Sequence, residues 1–201
     1  MSGFLKSISY IFHPLFMPLL GTAFFFSKSP RYLPIEIIKA KLFSIGILTI
    51  VLPILLYLLL KTLKKVETVN LPTTKERILP LALNCIIIFL VLERVLPQNE
   101  LIELYCFFIG ILLSTLACLM LAILKFKPSI HMVAAGGVIL FFIGISIHYH
   151  ININGSIILM CVIAGAIATS RLHLNAHNNI ELLIGLFIGM IPQIIMLNYW
   201  L

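Results

Sequence analysis

Long apolar runs separated by short polar segments are the feature of this sequence that most restricts its fold. A helix needs about 17 to 25 apolar residues to cross the hydrocarbon core of a bilayer. Seven candidate runs can be drawn, at residues 9–26, 41–60, 78–95, 101–124, 131–148, 156–170 and 180–200. Because backbone polar groups cannot be left open to lipid, each run must be a helix or a buried re-entrant segment. We therefore predict an all-α fold: a polytopic bundle of about six or seven transmembrane helices, forming a single domain over residues 1–201.

The composition is typical of an integral membrane protein. Hydrophobic residues make up 61% of the chain and charged residues only 10%, which is far from the usual composition of a soluble domain. The net charge is +7, but the basic residues are scattered among apolar runs and form no stripe that could bind nucleic acid. We expect membrane lipids and no nucleic acid as partners, and a multi-pass location in a bacterial inner membrane. The oligomeric state is open.

Three polar segments interrupt the apolar pattern, at residues 61–77, 125–131 and 170–181. If every run crosses the membrane once, two crossings separate each of these segments from the next, so all three lie at the same membrane face. Ionisable side chains near lipid are costly and tend to mark functional sites. We therefore predict that the three segments form one site. The positions of Lys and Arg leave open which face of the membrane carries it.

The third segment contains an arginine, two histidines, three asparagines and a glutamate. Asn178 or Asn179 is a plausible N-cap for the last helix, with Glu181 in its first turn. His177 would then lie just outside that helix, where N–H groups and the positive end of the helix dipole favour a phosphate. Glu181 could accept the Nδ1 hydrogen of His177 and leave the other ring nitrogen able to attack an electrophile.

The spacing of this segment resembles a known motif. Ser170, Arg171, His177 and Glu181 fit the pattern S-R-x-x-x-x-x-H-x-x-x-(D/E), which resembles the last signature motif of the type 2 phosphatidic acid phosphatase superfamily. The resemblance implies that Ser170 and Arg171 bind the substrate phosphate. It also implies that His177 is the catalytic nucleophile and that Glu181, one methylene longer than the aspartate of the family, orients it.

The second segment reads Lys127-Pro128-Ser129-Ile130-His131 and is similar to the P-S-G-H motif of the same superfamily, with Ile130 in the place of glycine. The resemblance implies that Ser129 donates to a phosphate oxygen and that His131 protonates the leaving group. The structural alternative is a helix cap followed by an interfacial histidine.

The first segment is the weakest match. In the family pattern K-x-x-x-x-x-x-R-P, Arg77 takes the place of the arginine, but Asn70 stands where the lysine would be and no proline follows Arg77 directly. Lys75 and Arg77 could still bind a phosphate, Arg77 in bidentate fashion. Alternatively, both are interfacial basic residues at the start of a helix.

Together the three motifs imply a membrane phosphatase that needs no metal or other cofactor and acts through a phosphohistidine. Its substrate would be a lipid phosphomonoester or a polyprenyl diphosphate. The substitution at Ile130 and the degenerate first motif motivate a second hypothesis, a non-catalytic lipid-phosphate binder or scaffold of the same fold. A third hypothesis is a small transporter whose ionisable residues line a translocation path.

Overall fold

The computed structural model describes residues 2–66, 73–98 and 100–201, with side chains from Ser7 onward. The described part of the chain is helical and contains no β-strand, so the predicted all-α class is confirmed. Asn70, the departure in the first motif, lies outside the described residues. The α-helices are α1 (Ser2–Ile11), α2 (Met17–Lys28), α3 (Ile35–Gly46), α4 (Leu52–Thr62), α5 (Thr74–Arg94), α6 (Ile102–Ile123), α7 (Ile130–His148), α8 (Asn154–His173) and α9 (Asn179–Leu197).

Within the described part of the chain, six helical segments are long and apolar enough to cross a membrane. They are Ser7–Lys28, Ile35–Thr62, Ile102–Ile123, Ile130–His148, Asn154–His173 and Asn179–Leu197. Helix α5 has a similar length of 21 residues and carries charged side chains near both ends. The protein is therefore an integral multi-pass membrane protein, and the prediction of six or seven spanning helices is confirmed.

Prolines divide the first two spans. Helix α1 ends at Ile11, and a short 3₁₀ turn, Pro14–Phe16, leads into α2. The second span contains a π-helical turn, Ile47–Val51, immediately before Pro53 near the start of α4. Proline lacks an N–H and its ring clashes with the carbonyl four residues earlier, so the backbone widens there.

The second span begins earlier than the hydrophobic pattern predicts. Helix α3 starts at Ile35, ahead of the predicted boundary at Lys41. The Lys41 ammonium donates to the Val95 carbonyl at 2.9 Å and to Glu100 Oε2 at 2.8 Å. Because these partners satisfy its charge, Lys41 lies within the helix, which extends ahead of the predicted run that begins at this residue.

Helices α7 and α9 pack backbone to backbone through glycines. A β-carbon at Gly185 would lie 2.7 Å from the Ser129 carbonyl oxygen, and one at Gly189 would overlap the backbone at Val133. Small residues permit this close approach between membrane helices. The contact fixes the start of α9 against the start of α7, where the second and third polar segments lie.

A separate polar cluster lies at the opposite end of the bundle and involves the fully buried Glu103. Its Oε1 accepts from Arg31 Nη2 at 2.8 Å and from the Tyr149 hydroxyl at 2.7 Å. These bonds connect the segment after α2 with the start of α6 and the end of α7. They also compensate the cost of burying the carboxylate.

Candidate functional site

The three predicted polar segments meet at one end of the bundle. Arg77 of the first segment donates from Nη1 to the Pro128 carbonyl of the second at 3.0 Å. The Ser129 N–H donates to the Glu181 carbonyl at 3.0 Å and so joins the second segment to the third. Segments that are far apart in the sequence are thus in direct contact.

These segments surround a cavity of about 840 Å³. Four of the predicted site residues line it: Arg77, His131, Arg171 and His177. The walls also include side chains that sequence reasoning did not assign to the site, namely Ser9, His13 and Lys127.

His177 and Glu181 form a hydrogen-bonded pair. Asn178 caps α9: its Oδ1 accepts from the Glu181 N–H at 2.8 Å, and the Glu181 carboxylate accepts from the Asn178 N–H at 3.3 Å. The same carboxylate oxygen lies 2.7 Å from Nδ1 of His177. Since a carboxylate only accepts, Nδ1 carries the hydrogen and Nε2 of the neutral ring carries a lone pair.

The protonation state of His177 follows from its surroundings. The pKa of His177 is lowered to about 4, and burial is the largest cause. The positive charges of Arg77 and Arg171 contribute to the lowering, and the hydrogen bond to Glu181 opposes it. The imidazole is therefore neutral at physiological pH, as a nitrogen nucleophile must be.

Two buried arginines face the cavity. Arg77 is 5% exposed and lies in the first turns of α5, while Arg171 is 6% exposed and lies in the last turn of α8. Nε of Arg171 has no hydrogen-bond partner among the described residues. A buried guanidinium with an unused donor is unfavourable unless an anion or water completes its hydrogen bonds.

His131 is held by the N-terminal helix. Its Nε2 lies 3.2 Å from the Ser9 carbonyl oxygen. Because a carbonyl only accepts, Nε2 carries the hydrogen, and Nδ1 is the nitrogen through which His131 can exchange a proton with a ligand. The Ser9 hydroxyl also contacts the Ser170 hydroxyl at 2.7 Å.

The remaining predicted phosphate-binding residues do not line the cavity. Lys75 is exposed on the first turn of α5. Ser170 is buried against Ser9. Ser129 is buried, and its hydroxyl has no hydrogen-bond partner among the described residues. Ile130 does line the cavity, at the position where the family motif has glycine.

The cavity has a polar end and an apolar end. Among the residues that the structure describes, its lining includes the cations Arg77, Lys127 and Arg171 and three histidines, but no Asp or Glu. Deeper walls are mainly apolar and are formed by residues such as Ile54, Ile87, Ile88, Phe107, Ile111 and Val138. Such a cavity suits a ligand with an anionic group at one end and a hydrocarbon portion at the other.

Ser9, His13 and Lys127 are difficult to recognise as site residues from the sequence. Ser9 lies in an apolar run, and His13 reads there as an interruption next to Pro14. Lys127 belongs to the second polar segment, but nothing in its spacing indicates that it faces a ligand. All three depend on how helices pack against one another, which a one-dimensional pattern does not encode.

Comparison of the chain with protein-family models, with curated proteins and with solved structures finds no match. The resemblance to the phosphatase superfamily therefore depends on the three short motifs alone.

Proposed function

We propose that this protein is a membrane-embedded phosphatase that hydrolyses a lipid phosphomonoester or a polyprenyl diphosphate through a phosphohistidine. The observation that carries the proposal is the His177–Glu181 pair, whose Nδ1 to Oε2 distance is 2.7 Å, at the wall of a cavity that two buried arginines also line. A bacterial inner membrane as the location is part of the same proposal.

In the proposed first step, the Nε2 lone pair of His177 attacks phosphorus. A bond from phosphorus to His177 forms, and the bond from phosphorus to the leaving oxygen breaks. The negative charge of the bound phosphate favours protonation of His131. His131 then gives its Nδ1 proton to that oxygen, since its Nε2–H is engaged by Ser9. Water then attacks phosphorus while Nδ1 of His131 takes the water proton. The bond from phosphorus to Nε2 of His177 breaks, inorganic phosphate leaves, and neutral His177 and protonated His131 are regenerated.

Arg77, Lys127 and Arg171 would neutralise the phosphoryl oxygens. Phosphoryl transfer depends mainly on positioning and on cations placed where negative charge spreads. The described residues that line the cavity include no carboxylate, and the Glu181 carboxylate is hydrogen-bonded to His177 and does not line the cavity, which supports an anionic ligand. The apolar depth of the cavity supports a substrate with a hydrocarbon tail.

The test is phosphate release by the purified protein in detergent with a chelator present. Phosphatidic acid, phosphatidylglycerophosphate and undecaprenyl diphosphate would be offered to the wild type and to His177→Ala. His173→Ala is a matched control, because His173 is exposed at the end of α8 and does not line the cavity. We expect His177→Ala to abolish release and His173→Ala to retain it. Release that persists in His177→Ala would refute the nucleophile assignment.

A non-catalytic lipid-phosphate binder is the second candidate. The observation that favours it is Ile130, whose side chain lines the cavity in place of the motif glycine and whose β-branch restricts close approach of an anion to the backbone. This candidate predicts that the wild type binds phosphate and releases none from any of the three lipids.

A further inference from the structure

His13 lines the cavity but has no part in the mechanism proposed above. It lies between α1 and α2, immediately before the Pro14–Phe16 turn. Its ring meets the His131 ring edge to face, with centroids 5.3 Å apart and an interplanar angle of 80°. Arg171 and His177 line the same cavity. His13 is therefore among the groups that a ligand at the polar end would meet.

The hydrogen bonds of His13 define its tautomer. Its Nδ1 accepts from the Leu15 N–H at 3.3 Å, which caps the short turn. A ring nitrogen that accepts a hydrogen bond carries no proton, so the ring is neutral and its hydrogen is on Nε2. No described residue accepts a hydrogen bond from Nε2.

The other two histidines that line the cavity are less suited to donate a hydrogen bond from a neutral ring to a ligand. Nε2–H of His131 is already engaged by the Ser9 carbonyl, and Nδ1–H of His177 by Glu181. Of the three histidines that line the cavity, His13 is the one whose N–H is not engaged by the described protein. A fixed neutral donor stabilises charge that develops on a phosphoryl oxygen without having to lose a proton.

We propose that His13 is a substrate-contacting residue whose Nε2–H donates a hydrogen bond to a phosphoryl oxygen. The N-terminal segment thereby becomes part of the phosphate site, together with helices α5, α8 and α9. This inference rests on the proposed function for its catalytic consequence, but the hydrogen bond itself can be measured with inorganic phosphate alone.

Two substitutions separate the two ring nitrogens. In His13→Asn, the amide oxygen can take the place of Nδ1 and keep the Leu15 cap, but nothing reaches the position of Nε2. In His13→Gln, the longer side chain can bring an amide N–H to the Nε2 position. If His13 only caps the turn, the protein should tolerate Asn at this position at least as well as Gln. If His13 donates to phosphate, only Gln should restore that hydrogen bond.

The measurements are inorganic phosphate affinity and the rate of phosphatidic acid hydrolysis, with the melting temperature in detergent as a control of folding. We expect His13→Asn to weaken phosphate binding and to lower kcat/KM by on the order of 10- to 100-fold, the size expected for one hydrogen bond to a charged group. His13→Gln should recover part of both losses. In His13→Ala, added imidazole should restore part of the rate, which is a test that does not depend on the stability of His13→Asn.

The outcomes separate this inference from the proposed function. If the wild type hydrolyses lipid and His13→Asn equals it in rate and phosphate affinity, the role of His13 is refuted and the phosphatase is not. If the wild type binds phosphate without hydrolysis, the phosphatase is refuted, and His13 is judged by the affinity loss in His13→Asn. If the wild type does neither, both proposals are refuted.

Discussion

Replacing Glu181 with Gln tests the proposed chemistry with little change in structure. Gln can keep the capping box with Asn178 and can accept a hydrogen bond from Nδ1 of His177, but it has no negative charge. When Nε2 bonds to phosphorus, the imidazole ring becomes positively charged. The Glu181 carboxylate, 2.7 Å from Nδ1, stabilises that charge more strongly than it stabilises the neutral ring.

The size of the effect follows from this difference. A hydrogen bond to a charged group contributes about 1.5 to 3 kcal/mol, which corresponds to roughly a 10- to 150-fold loss of kcat in Glu181→Gln. KM should change little, because the substrate does not contact Glu181 directly. The assay is the initial rate of phosphate release from lipid in mixed micelles over a range of substrate concentrations.

The control is Glu93→Gln, which removes the same charge from an exposed position near the far end of α5. It should leave kcat unchanged. A folded Glu181→Gln protein with wild-type kcat would refute the role of the carboxylate, and with it the claim that His177 becomes cationic during the reaction.

Three further predictions follow from the geometry. Arg77→Ala should lower kcat/KM by about 100-fold or more, because Arg77 lines the cavity. Lys75→Ala removes the same charge from an exposed side chain and should have little effect in the same assay. Because burial lowers the pKa of His177 to about 4, kcat/KM should be lost on the acid side as pH falls through about 4, and a loss centred near 6.5 would contradict the assignment. Gly189→Ala should destabilise the protein by about 1–3 kcal/mol, because the new methyl group would overlap with α7. The measurement is the melting temperature in detergent, which should fall. Gly165→Ala should not lower it, because a β-carbon there meets no atom within 4 Å.

The helical class and the interruption before the last helix were predictable because they follow from local chemistry. Lipid requires the backbone to satisfy its own hydrogen bonds, so long apolar runs become helices. Asn178, followed three residues later by Glu181, forms a capping box from side chains that are adjacent in the sequence. The meeting of the three polar segments followed from counting crossings.

The face that each side chain presents was not predictable in the same way. Lys75 and Arg77 are two residues apart on α5, which turns them toward nearly opposite sides of the helix, so only one can face the cavity. Their sequence does not say which. The bond from His131 to the Ser9 carbonyl was equally hidden, since it depends on how the N-terminal helix packs against distant parts of the chain.

The π-helical turn at Ile47–Val51 has a consequence for how the proposed lipid substrate would reach this cavity. The span that contains it is Ile35–Thr62, whose 18-residue apolar window is only 11% buried, the smallest share among the six spans. The span nevertheless supplies Thr49, Pro53 and Tyr57 to the cavity wall. A widened turn next to a proline bends at low cost in free energy, and few packing contacts resist its displacement. For the proposed lipid substrate, the hydrocarbon tail would enter sideways from the bilayer past this helix while the headgroup stays in the interfacial layer. On this proposal the tail would remain in the membrane throughout the reaction.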